Sequence, residues 1–494
     1  MPGGIFVHGL GAEKIKVFTD IANKYSSVPV IVSADVENGP GSAIPNETLF
    51  PSQMAWGACD DKELIERAGE SIAIAGRKAG IHWTFSPVVD INTNPNNPVV
   101  NIRAVSDDPK QVAKIASTYI RGSQKNGMMM TTAKHFPGDG TDDRNQHFCT
   151  TVNALSKEEW MNTFGYVYKS AIQSGVAAIM SAHIALPAFD GEYRDGRGYL
   201  PATLSKKLQT DLLKNELGFD GVIVSDAFSM IGICAMEKRE NQAVEFVKAG
   251  GDVVLFALPE DFVYLKTASL RGDITRERLV DAVSRILLLK NKARLFENQQ
   301  AIFENAVQDR FCEMLSDEIG EKSVKIVRNF ENHIPLKLGS GAKILLVNLQ
   351  KNSGEKEYIR SLDTVKNELE NRGYAVDVLV NPGHYKIKSV KDSYDCILIN
   401  CRIGPNNYIG GTLRLGWEQV FAFWRGYVLE HPCVIFTSFG DPYKLYEVPF
   451  MKTYVNAFCC SESSQRAFVK VLLGEIEPSA KNPVSLKGFF EREV

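Results

Sequence analysis

The stretch 133–152 gathers side chains able to do chemistry: Ala-Lys-His-Phe-Pro-Gly-Asp-Gly-Thr-Asp-Asp-Arg-Asn-Gln-His-Phe-Cys-Thr-Thr-Val. Lys134 and His135 come directly after an apolar run, 128–133, that reads as a buried strand, so two polar groups stand at a strand's C-terminal end. Glycines, a proline, aspartates and a second histidine, His147, follow in a long polar loop, a kind of segment that is often functional or mobile. Asp226 is the second candidate, closing the run Gly-Val-Ile-Val-Ser-Asp at 221–226. A carboxylate at the end of a buried strand is costly unless it is paired or at work; the plainer alternative is a cap for the helix after it. Cleaving a glycosidic bond with retention needs a nucleophilic carboxylate and a second group that moves a proton on the other side of the bond. Asp226 suits the first role and His147 the second, because an unperturbed imidazole titrates near operating pH. Asp35, Arg103, Lys134 and His135 offer donors and acceptors suited to sugar hydroxyls, or alternatively a salt-bridge cluster. His183 is placed with them, although a satisfied core histidine fits it equally, and His8 and His82 read as structural.

The elements that must hold these residues alternate. Apolar runs at 4–9, 28–34, 81–89, 128–133, 176–182, 221–225 and 252–256 are separated by segments with helical spacing at 13–25, 62–79, 108–126, 158–174, 205–217 and 241–249, and a helix at 275–295 closes the series. Asp35, Asp90, Lys134, His135, His183 and Asp226 all fall at run C-termini, the active-site face of a (β/α)8 barrel. An open doubly wound sheet would more often show a glycine-rich phosphate turn, and no G-x-G-x-x-G follows any run. The fold predicted is α/β: a TIM-like (β/α)8 barrel over 1–300, counting seven strands and so lacking its first strand and helix, a charged helical linker over 301–340, and an α/β sandwich over 341–494.

Composition sets the setting. The chain has 494 residues, 44% of them hydrophobic and 23% charged, with a formal net charge of -3. There is no dense basic run, which points away from nucleic acid and anionic membranes, and no apolar stretch of membrane-spanning length. Nine scattered cysteines without a Cys-x-x-Cys spacing, and an N-terminus without a basic or long apolar region, predict a reducing, cytoplasmic setting.

Several blocks in order resemble glycoside hydrolase family 3, in its β-N-acetylglucosaminidase branch. They are Asp35-Val36-Glu37-Asn38-Gly39, Phe85-Ser86-Pro87-Val88-Val89-Asp90, Asn97-Pro98-Val99-Val100-Asn101-Ile102-Arg103, Lys134-His135-Phe136-Pro137-Gly138, Pro201-Ala202-Thr203-Leu204-Ser205 and 218–226. In the second domain the best local match is Ser438-Phe439-Gly440-Asp441-Pro442-Tyr443. The resemblance implies that Asp226 forms a covalent glycosyl-enzyme and that Asp35, Arg103, Lys134 and His135 hold the terminal sugar. It also implies a histidine acid/base paired with an aspartate in an Asp-x-His element of a mobile loop. Here that element is Asn145-Gln146-His147, with asparagine in place of the aspartate, and Asp139 stands where the family has a histidine. Asp142 and Asp143 are the carboxylates near enough in sequence to replace the missing partner.

The function expected is an exo-acting retaining β-glycosidase releasing terminal N-acetylglucosamine, from peptidoglycan fragments or related amino-sugar glycosides, without metal or organic cofactor. Its partner is a small saccharide, not nucleic acid or membrane. Two rivals stand beside it: a phosphorylase on the same scaffold, and a sugar-binding homologue without turnover.

Overall fold

The computed structural model describes residues 3–297, 311–351, 361–404 and 414–493. They divide into two compact units, one of 1–48, 62–100 and 104–312, the other of 49–61, 101–103 and 313–494.

In the first unit β1 (Gly4–Phe6), β2 (Ile31–Ala34) and β3 (Trp83–Thr84) pair in parallel and in that order. β4 (Thr132–Phe136), β5 (Ala178–Ser181) and β6 (Val222–Ser225) do the same. Parallel bridges Trp83–Met130 and Val88–Lys134 join β3 to the β4 segment, and Val224–Val253 adds one more position beyond β6. The strands thus follow one another in chain order with helices between them, as successive β/α units require. The rings of Phe6 and Phe256 meet edge-on at 5.1 Å between centroids, so the first and last positions of the series come together. Apart from β1, the strands are short and fully buried, which is why they read as continuous apolar runs rather than alternating ones. The intervening helices are amphipathic: Lys62–Lys78 buries Leu64, Ile65, Ala68, Ile72 and Ala73 on one face.

The run 252–256 is less than the strand its apolar pattern predicts. Asp252 and Val253 both donate their backbone N–H to the Ile223 carbonyl. Phe256 then turns into left-handed backbone at φ 57°, which ends the extended path.

The second unit holds a six-stranded sheet in the order β7-β12-β11-β10-β8-β9. The strands are β7 (Lys325–Asn329), β8 (Lys343–Gln350), β9 (Ala375–Val380), β10 (Cys396–Arg402), β11 (Val434–Ser438) and β12 (Thr453–Asn456). All pairings are parallel except β7 with β12. Alternate residues feed two cores, Leu345, Val347, Ile397, Ile399 and Phe436 in one, and Ile344, Leu346, Leu398, Ile435 and Val455 in the other.

Two sequence expectations change here. The stretch 301–340 is not a helical linker throughout: 298–310 lie outside the described residues, Phe311–Ser323 is a helix, and 325–329 are the edge strand β7. Segments 49–61 and 101–103, read as barrel sequence, group with the second unit because Met54, Ala55 and Ala58 are buried in its core with Leu345 and Val347, and Ile102 packs against it. No helix among the described residues is long and apolar enough to cross a membrane.

Candidate active site

Four strand ends supply the site. β2 runs into Asp35, and the following bend brings Glu37 beside it, so that the Lys134 ammonium on β4 meets both carboxylates, Asp35 Oδ1 at 2.9 Å and Glu37 Oε1 at 2.6 Å. The Lys134 side chain is only 4% exposed. Such a cation persists out of water because two carboxylates pair with it. Sequence reasoning placed Asp35 and Lys134 but missed Glu37; the i, i+2 spacing after the strand end was the signal for it.

His135 is next along β4. Its Nδ1 lies 2.7 Å from Asp90 Oδ2, and its backbone N–H donates to Asp90 Oδ1 at 3.1 Å. Asp90 is fully buried. The carboxylate therefore fixes the orientation of the ring. Asp90 was legible as a strand-end residue, but its tie to His135 depends on the parallel bridge between Val88 and Lys134, which no local pattern reveals.

Asp226 follows β6 directly. Its backbone N–H donates to Ser181 O at 2.8 Å, and its Oδ1 accepts from Ala227 N at 2.8 Å. It caps no helix, since the next one begins at Ile231. The residue keeps some exposed surface. Burial pushes its carboxyl up, but His135, His183 and His147, where protonated, and the Ala227 N–H outweigh this and hold it below the ordinary carboxylate range. Asp226 is therefore an anion at neutral pH.

His183 is used up inside the protein. Nε2 donates to the Ala227 carbonyl at 3.1 Å and Nδ1 lies 2.9 Å from Thr203 Oγ1. Burial lowers its pKa, against the opposing pull of the nearby Asp226 and the Ala227 carbonyl. Both nitrogens of the ring expected to hold a sugar hydroxyl are thus engaged within the protein, and the ring supports the backbone carrying Asp226.

His147 sits in the loop after β4. Its Nδ1 lies 2.7 Å from Asn145 Oδ1, and its backbone N–H donates to the same oxygen at 2.9 Å. An amide oxygen can only accept, so Nδ1 carries the hydrogen of this contact. Asp142 does not replace the missing carboxylate: Arg144 holds both its oxygens, and Val152 N–H donates to Oδ2 at 2.9 Å. Asp143 is exposed. The loop is fastened along its length. Asn94 N–H donates to Gly140 O at 2.9 Å, Asn97 Nδ2 to Asp142 O at 2.8 Å, Asn153 Nδ2 to Gly138 O at 3.1 Å, and Ile231 N–H to His147 O at 2.9 Å.

Arg103 is buried in the short turn Asn101–Arg103, which groups with the second unit. It does not belong to the unit that carries Asp35, Lys134, His135, His147 and Asp226. His82 is a core residue whose Nδ1 accepts from Val32 N–H at 3.0 Å; burial pushes its pKa down to about 3.

A carboxylate held below its ordinary range, imidazoles near enough to act on it and a buried Lys-Asp-Glu cluster gather at parallel-strand ends of the first unit, the face on which barrel enzymes carry their sites. Comparison with known proteins agrees. Residues 11–289 match the glycosyl hydrolase family 3 N terminal domain. The chain is 31% identical over 499 residues to a β-N-acetylglucosaminidase/β-glucosidase of Cellulomonas fimi, covering 98% of this chain and 88% of that one. It is 28% identical to a β-hexosaminidase of Methylobacillus flagellatus over 56% of this chain and 79% of the relative. Among solved structures it resembles a β-glucoside phosphorylase bound to 2FGlc (TM-score 0.88, 31% identity, 98% of this chain and 89% of that one). It also resembles a family 3 β-N-acetylglucosaminidase from Paenibacillus sp. str. FPU-7 (TM-score 0.82, 27% identity, 98% and 90%). The protein is a glycoside hydrolase with a two-domain, TIM-barrel-like α/β fold. It belongs to glycoside hydrolase family 3.

Proposed function

We propose that this chain is an exo-acting β-glycosidase that releases terminal N-acetylglucosamine from amino-sugar glycosides, such as peptidoglycan fragments, with retention. Asp226 attacks the anomeric carbon and the leaving oxygen takes its proton from His147. Water, deprotonated by the same imidazole, then frees the sugar from the glycosyl-enzyme. Lys134, Asp35 and Glu37 orient the sugar hydroxyls with His135. The observation that carries this reading is Asp226 itself, a strand-end carboxylate kept ionised among imidazoles.

A second reading has one specific support. Asn145 gives His147 a neutral partner, so phosphate meets no carboxylate on the side from which the glycosyl-enzyme is attacked. A carboxylate there would repel it by about 1–4 kcal/mol at contact, depending on the local dielectric. On that reading the product is a sugar 1-phosphate, and the fold-mate named as a β-glucoside phosphorylase lends it weight.

One assay tests both. Nitrophenyl β-N-acetylglucosaminide, β-glucoside and β-xyloside are incubated with and without phosphate, beside the Asp226→Asn variant. Asn keeps the shape of the side chain but removes the attacking charge, so turnover is expected to fall by orders of magnitude with the fold intact. Wild-type-like turnover in that variant removes Asp226 from the mechanism, and sugar 1-phosphate as the main product selects the second reading.

A further inference from the structure

Behind His135 lies a chain of buried groups that neither step above uses. Asp90 Oδ1 accepts from the backbone N–H of His135 and, at 2.8 Å, from that of Asp139, so one carboxylate binds both ends of the β4 turn. Asp139 Oδ1 accepts from Asn97 Nδ2 at 2.8 Å and from Gly140 N at 2.6 Å. Asp139 Oδ2 is buried and has no hydrogen-bond partner. An ionised carboxylate with an oxygen in that state, beside a second buried carboxylate, is costly, and the economical arrangement is one proton retained by the pair.

We propose that Asp139 is a positioning residue for the nucleophile, acting through Asp90 and the His135 ring to set the field felt by Asp226. The proposal rests on the reading of Asp226 as nucleophile. Its geometry is that of one carboxylate, Asp90, holding the His135 ring and both ends of the turn that carries Asp139. Asp90 holds the His135 ring at 2.7 Å. After burial, His135 is the largest single influence on the ionisation of Asp226. Burial, and then the charge of Asp90, push the Asp139 carboxyl up to about 6, against the opposing pull of the Gly140 N–H, His135 and Asn97. Tyr168, on the helix Phe164–Gln173, also feels this field: its buried hydroxyl has no hydrogen-bond partner, and burial, Asp90 and Asp139 keep it protonated. Above that pH Asp139 adds a negative charge beside the Asp90–His135 pair; below it that charge is absent. The family resemblance places a histidine at this position, so a carboxyl here gives the relay a group of opposite charge behaviour.

The test compares the pH dependence of kcat/KM on a nitrophenyl glycoside for wild type and Asp139→Asn. Asparagine can keep both acceptor bonds at Oδ1 while removing the ionisation. The wild type is expected to show a step near pH 6 that the variant lacks, whereas a purely structural role lowers rates without changing the profile's shape. In parallel, ring-15N histidine spectra, with His135 assigned through His135→Gln, are expected to show a matching step in the wild-type His135 signal that disappears in Asp139→Asn. Superimposable profiles, or a wild-type ring signal with no step between about pH 5 and about pH 7, overturn the proposal. Should the Asn variant not fold, Asp139→Ser removes the same carboxyl. If Asp226→Asn retains turnover, the reading of the nucleophile fails, while the ring signal still judges whether Asp139 acts on His135.

Discussion

At the scale of single residues, the consequential difference is an amide where the family resemblance places a carboxylate. Asn145 orients His147 through two hydrogen bonds to one oxygen, so geometry is preserved. On the proposed mechanism, what it cannot do is stabilise the imidazolium that forms while the ring holds the proton to be donated, as the aspartate of a Ser-His-Asp triad does. The expected signature is in leaving groups. His147→Ala should slow natural glycosides by about 10²–10⁴-fold, the usual worth of a general acid, and nitrophenyl substrates far less, since nitrophenolate leaves with little protonation. Asn145→Asp should then raise hydrolysis of poor leaving groups and, if phosphate is the physiological acceptor, depress phosphorolysis by placing a negative charge where phosphate approaches. Equal effects of His147→Ala on both substrate classes, with no response to Asn145→Asp, would instead mean that another group supplies the proton.

At the scale of elements, the site depends on how the loop after β4 is tied down. Gly140 has φ 104°, and a Cβ there would sit 2.1 Å from the Ile91 carbonyl oxygen. Its own carbonyl receives the Asn94 N–H and the Thr93 hydroxyl. Gly140→Ala is therefore expected to add about 1–3 kcal/mol of backbone strain before the clash is relieved. Thermal unfolding should report a lower Tm, and kcat should fall because the displaced loop carries Asn145 and His147. An unchanged Tm with full turnover would show that the loop accommodates a side chain there.

The same elements explain what could be read from the sequence. Asp35, Lys134 and Asp226 were legible because apolar runs end on them and buried parallel strands point their C-termini to one face. Glu37 was not, because a bend rather than a strand turns it toward Lys134. The Asp90–His135 pair and the full engagement of His183 with Thr203 and Ala227 are tertiary contacts between positions 45, 20 and 44 residues apart. Period and composition report that a position is buried; they do not report its partner. The strand 325–329 was lost for a related reason, since five residues in a charged neighbourhood fit a helix as well as an edge strand.

At the scale of the whole molecule, chain order and folding unit do not coincide. Segment 49–61 lies in sequence between β2 and the helix Lys62–Lys78, both in the first unit, yet it is part of the second. Met54, Ala55 and Ala58 are buried in that unit's core, Ser52 Oγ donates to Phe458 O at 3.0 Å, and Ser316 Oγ donates to Leu49 O at 3.2 Å. The second unit therefore cannot assemble from 313–494 alone without leaving one face of its sheet short of apolar cover. A chain ended at residue 312 would in turn expose Met54 and its neighbours to water. Met54→Ala, a change in the N-terminal part of the sequence, is expected to destabilise the second unit by about 2–5 kcal/mol, the usual cost of truncating a buried methionine. Residues 313–494 expressed alone should aggregate or bind a hydrophobic dye, as checked by size exclusion and fluorescence. A soluble, cooperatively unfolding 313–494 fragment, with Met54→Ala leaving the full chain's unfolding curve unchanged, would show that segment 49–61 is dispensable to the second unit.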